Sequence, residues 1–175
     1  MSAQKYGSDP FGQWDRDENS LPVYRLQPRA LPRSMPPLRH ILGTGRIIAV
    51  ADQHGVVQIT TAEAGGICCL HARDPHFASA IHLQIEHEKT TRSLFICDLA
   101  ASDASLMTWG VGYVVYAADI ALGEGCRVHV ELEIAAPVGQ PLLAAAVRLT
   151  NLGKAALPVR VTVNTDVTPV PQPCF

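Results

Sequence analysis

The chain has 175 residues, enough for one domain with a buried core. Hydrophobic residues make up 47% and charged residues 17%, which excludes general disorder, and a formal net charge of −2 gives no electrostatic case for a nucleic-acid partner. No run approaches the ~20 apolar residues of a membrane span, and residues 1–20 are polar, with no signal-like apolar core. The five cysteines (Cys68, Cys69, Cys97, Cys126 and Cys174) are odd in number and form no C-x-x-C pair. Reduced thiols in a cytoplasmic protein are the expectation.

In chain order, residues 1–40 read as a proline-rich lead. Arg25, Arg29, Arg33 and Arg39 form a basic run there, but four prolines interrupt it, which suits a solvated arm. From residue 41 the character changes, and a sandwich domain is expected over 41–168, with a proline-rich tail over 169–175. "RIIAVA" (46–51) and "GVVQITT" (55–61) predict a hairpin around Asp52-Gln53-His54-Gly55. "IHLQIEHE" (81–88) alternates Ile81, Leu83 and Ile85 with polar residues, and "RSLFIC" (92–97) is placed to return antiparallel to it. In "CRVHVELEI" the set Cys126, Val128, Val130, Leu132 and Ile134 alternates with Arg127, His129, Glu131 and Glu133, the period of a strand buried on one face. "PLLAAAVRLTN" and, after an Asn151-Leu152-Gly153-Lys154 turn, "LPVRVTVNTD" extend this into an antiparallel meander. In the last strand Leu157, Val159, Val161 and Val163 share a face. No helical stripe is present, so the expected class is all-β with two packed antiparallel sheets.

Gly110-Val111-Gly112-Tyr113 spaces its glycines as a phosphate-binding loop would. Such a loop needs a third glycine and a helix opening behind it. Here Tyr113-Val114-Val115-Tyr116 follows, which is a strand, so the glycines read as a bend between strands. Gly43-Thr44-Gly45-Arg46 fails the same test.

The chemistry-bearing residues are few. His82, Glu86 and His87 lie close in sequence, but a strand sends His82 and His87 to opposite faces. His71 and His76 lack a helix to align them, and neither a metal nor a cofactor is expected. Glu131 and Glu133 share one strand face at roughly 7 Å, a spacing on which acid–base work on a sugar is conceivable. No nucleophile elbow or catalytic cysteine setting accompanies them, so no catalytic residue is assigned. Trp109, Tyr113 and Tyr116 are the aromatic candidates for the rim of a substrate site, with core packing as their alternative role. Trp14 is a fourth aromatic in the same position.

Taken in order, several segments resemble the N-terminal domain of glycoside hydrolase family 94, the cellobiose- and chitobiose-phosphorylase group with its cyclic-β-1,2-glucan-synthase relatives. They are "YGSDPFGQWDRDENSLPVY", "LGTGRIIAVADQHGVVQI", "WGVGYVVYAADI" and "VHVELEIAAPVGQPLLAAAVRLTNLGKAALPVRVTV". The likeness spans residues 6 to about 168. It implies an antiparallel β-sandwich of the galactose-mutarotase-like supersandwich type, preceding an (α/α)6 barrel that carries the catalytic Asp and the phosphate site. No helical barrel sequence is present, and the chain ends in "TPVPQPCF" before such a domain is usually complete. The expectation is therefore an incomplete sandwich, a non-catalytic module that scaffolds a barrel, meets oligosaccharide through its parent enzyme and pairs with a second subunit. A freestanding sugar- or protein-binding sandwich is the rival expectation.

Overall fold

The computed structural model describes residues 10–32, 38–43, 46–53, 55–61, 68–72, 81–93, 104–165 and 167–171. They form strands β1 (Gly12–Arg16), β2 (Pro22–Leu26), β3 (His40–Gly43), β4 (Ile47–Asp52), β5 (Gly55–Thr61), β6 (Cys68–Ala72) and β7 (Ile81–His87). The second half gives β8 (Thr90–Ser93), β9 (Ala104–Gly110), β10 (Tyr113–Gly123), β11 (Cys126–Ala135), β12 (Ala144–Asn151), β13 (Arg160–Thr165) and β14 (Val167–Pro171). Among the described residues one 3-10 turn covers Pro28–Ala30, and no described helix is long and apolar enough to cross a membrane. The fold is all-β, and every described strand pairing is antiparallel.

The strands form three sheets: β1-β2-β9-β10-β11-β12, β13-β7-β8 and β14-β6-β5-β4-β3. Alternation builds the core. On β10, Val114, Tyr116, Ala118 and Ile120 are buried, while the residues between them face out; β11 repeats this with Val128, Val130, Leu132 and Ile134. Leu42, Ala49, Ala51 and Val56 of the five-stranded sheet and Leu83 and Ile85 of the three-stranded sheet join the same cluster. The six-stranded sheet is thus one layer of a sandwich, and the second layer is split between the two smaller sheets. The Tyr116 hydroxyl crosses the core to donate to the Asp52 carbonyl at 2.9 Å.

The sequence-based expectations hold for the β4–β5 hairpin, for an antiparallel return after β7, which starts at Thr90 and not at Arg92, and for the β11–β12 pair of the meander, and they fail at four places. First, β1 and β2 lie inside the segment set apart as a lead, yet Val23, Tyr24 and Leu26 are core residues and β2 pairs with β9. The prolines flank β2 instead of interrupting it: Pro22 opens it, and Pro28 starts the 3-10 turn beyond it. Second, β13 does not continue the meander. It leaves the sheet to pair with β7, so Leu157 and Val159 pack on the core while Val161 and Val163 are exposed. Third, residues 169–171 belong to β14, paired with β6, and not to a tail. Fourth, the second layer is two sheets, not one. Cys97, Cys174, His54 and His76 lie outside the described residues, as do the side chains of Cys68, Cys69, His71 and His82. Cys126 is a half-buried free thiol.

Candidate functional site

The outer face of the six-stranded sheet holds a groove of about 650 Å³. Strand register builds its floor in rows. One runs Arg25–Thr108–Val115–Glu133–Ala146, and a second runs Leu106–Ala117–Glu131–Arg148. The end wall is the β1–β2 turn, where Asp17, Glu18 and Asn19 reach the groove. That turn is held by its own aspartate: Asp17 Oδ1 accepts from the backbone N–H groups of Asn19 and Leu21, each at 2.9 Å.

Tyr113 links wall to floor. Its hydroxyl donates to Asp17 Oδ2 at 3.2 Å, and partial burial together with this carboxylate raises its pKa above the ordinary phenol value. The ring lies across Gly110, its direct cross-strand partner on β9. A Cβ at residue 110 would fall inside the Tyr113 ring. Gly112, at φ +82°, takes the left-handed position of the two-residue turn between these strands. The glycine pair is therefore a hairpin device, as its sequence context predicts. One glycine makes the turn, and the other makes room for the tyrosine.

Charges on the floor are tied across strands. Arg148 Nη1 donates to Glu131 Oε2 at 3.0 Å, and His129 Nε2 lies 3.6 Å from Glu131 Oε1. His129 Nδ1 bonds Asp119 on β10 at 2.6 Å, and that carboxylate, with Glu131 second, raises the imidazole pKa above its usual value. Arg25 is ion-paired with Asp15 at 3.1 Å. Asp15 is held below the usual carboxylate range by the Arg16 backbone N–H, with Arg25 adding to the effect. The lining carries four carboxylates (Asp17, Glu18, Glu131, Glu133) against two guanidiniums (Arg25, Arg148), so the groove is net acidic.

The three aromatic candidates part company here. Tyr113 lines the groove. Tyr116 is 4% exposed with its hydroxyl bound to Asp52, so it offers no ring to a ligand and is a core residue. Trp109 shares the inner face, opposite Val114 on β10 and Tyr24 on β2. It sits in a row of rings, 5.6 Å from Tyr24 and 5.6 Å from His40, and is stacked on the latter at 7°. Its indole N–H is buried without a partner. Glu131 and Glu133 do stand side by side in the groove, but Arg148 engages one oxygen of Glu131 and the His129 ring lies 3.6 Å from the other. No group of three or more metal-ligating side chains occurs among the described residues. Sequence reasoning missed Arg25, Arg148, Asp17 and Glu18. Only the turn had a readable signal, an Asp followed by Asn and Ser between extended segments. A scan of protein-family models and searches of curated proteins and solved structures find no match to this chain.

Proposed function

We propose that the chain is a non-catalytic β-sandwich module of a carbohydrate-active enzyme, resembling the N-terminal domain of family 94 phosphorylases, and that its outer groove holds a segment of neutral oligosaccharide. The observation carrying this reading is the groove itself: an open trough of about 650 Å³ on the six-stranded sheet, with the Tyr113 ring seated against Gly110 among carboxylates and guanidiniums. Its volume lies in the range of small-ligand sites, roughly 300–1,000 Å³. Sugar hydroxyls both donate and accept, which suits a lining that mixes acids and arginines, and the apolar face of a sugar ring suits Tyr113. The acidic excess disfavours uronates and phosphorylated glycans. The engagement of Glu131 by Arg148 and His129 supports a binding role over acid–base catalysis, and the module's part in its parent would be scaffold and rim.

Titrating the protein with cello-, chito- and laminari-oligosaccharides while following its amide NMR spectrum tests this. Shifts should cluster at Tyr113, Glu133 and the 17–19 turn, and Tyr113→Ala should weaken binding about tenfold or more. Cellobiose, chitobiose and laminaribiose should not turn over, with or without phosphate. Shifts confined to another face, or turnover that tracks with the protein, would overturn the reading.

A further inference from the structure

The carboxylates that line the groove differ in what they are still free to accept. Asp17 uses Oδ1 for the backbone N–H groups of Asn19 and Leu21 and Oδ2 for the Tyr113 hydroxyl. Glu131 accepts from Arg148 and faces the His129 ring. Glu18 is unpaired among the described residues but stands exposed in the wall, on the β1–β2 turn. Glu133, on the floor, likewise has no hydrogen bond or ion pair among the described residues. We infer that Glu133 determines which sugars the groove takes: its two oxygens accept from a pair of adjacent hydroxyls on the ring that lies against Tyr113. This rests on the saccharide reading of the groove and narrows it to sugars with a free vicinal diol.

Strand register is what leaves Glu133 open. It stands opposite Val115 on β10 and Ala146 on β12, whose side chains can neither donate nor accept. Opposite charges facing each other across strands stabilise a sheet face, and the next row does this with Glu131 opposite Arg148. In the row of Glu133 the guanidinium is Arg25, which lies beyond β9 and β10 and is paired with Asp15. Leu132 and Ile134 on either side are fully buried, so alternation holds Glu133 outward. The groove floor around it is made of short side chains, Val115, Ala117 and Ala146.

Tyr113 lies two residues from Val115 on the same face of β10, which makes it the diagonal neighbour of Glu133, about 7–8 Å away. The Glu133 charge is one of those that hold the phenol pKa up, in keeping with that closeness. A pyranose resting on the Tyr113 ring therefore turns one edge toward Glu133. A carboxylate only accepts, and its two oxygens are spaced to take two hydroxyls on adjacent ring carbons together. Such charge-assisted bonds are roughly twice as strong as neutral ones. An internal ring linked through positions 1 and 4 keeps adjacent hydroxyls at positions 2 and 3; one linked through 1 and 3 does not. Methylating the pair removes both donors and sets methyl groups against the carboxylate.

Calorimetric titration of the full chain with cellohexaose and with its 2,3-di-O-methyl counterpart tests this. The unmodified chain should prefer the free diol about tenfold or more. Glu133→Gln should weaken cellohexaose binding about tenfold or more and leave the methylated ligand within about twofold, so that the preference collapses. A merely structural effect of the substitution would weaken both ligands alike. Glu124→Gln also removes one carboxylate, on the exposed turn at the other end of β10 from Tyr113, and should change neither affinity. Cellohexaose binding that Glu133→Gln leaves unchanged, or weakens equally with the methylated ligand, would overturn the inference while the groove reading stands. No binding of cellohexaose at millimolar concentration would overturn it too, and the amide shifts with chito- and laminari-oligosaccharides then decide the groove reading separately.

Discussion

His129 places its two ring nitrogens between carboxylates that come from different strands, Asp119 on β10 and Glu131 on its own strand. Both contacts favour the doubly protonated ring, so its folded pKa lies above the unfolded value near 6.5. The stabilisation this provides is fully present below the unfolded value and is lost as pH rises through the raised one. An NMR titration of the His129 ring should show a midpoint above 6.5 that falls in Asp119→Asn and, by less, in Glu131→Gln. A midpoint unmoved by Asp119→Asn would refute the assignment. Half of this cluster was legible in sequence: period two puts His129, Glu131 and Glu133 on one wet face. Asp119 and Arg148 were not legible, because they join only once the register of β10 and β12 against β11 is known.

The β9–β10 hairpin shows how an element places a binding group. Gly110 has an ordinary backbone, and its small size matters because the Tyr113 ring rests on it. Gly110→Ala should push the ring off its seat, break its bond to Asp17 and cost about 1–3 kcal/mol by overpacking. Chemical denaturation would measure the cost, and the Tyr113 ring resonances would report the displacement. Retained stability with unchanged ring shifts would show that the contact is not needed. At this scale sequence served well where alternation was strict, as in β10 and β11. It serves poorly where prolines lie near a strand, since Pro22 and Pro28 mark the ends of β2 while proline in sequence reads as irregular chain. It also could not tell that β13 changes sheets, because an alternating strand looks the same whichever neighbour it joins.

For the whole molecule, composition and period led to an all-β sandwich, and three sheets around one core bear that out. The split of the second layer was not legible, because it depends on which distant strands meet. The groove was equally hidden, since its wall comes from residues 17–19 and its floor from strands far along the chain. The row of rings at the margin of the core has an optical consequence. Trp109 is one of only two tryptophans, and the His40 ring lies parallel to it at 5.6 Å. Burial keeps His40 below its usual pKa, so it is neutral at pH 7 and takes up a proton only in more acidic solution. An imidazolium facing an indole attracts it and quenches its emission. Acidification should therefore dim Trp109 with a midpoint below 6.5, and His40→Gln should abolish that step; emission independent of pH would refute it. The protein carries its own fluorescent indicator of the moment a charge forms at the margin of its core.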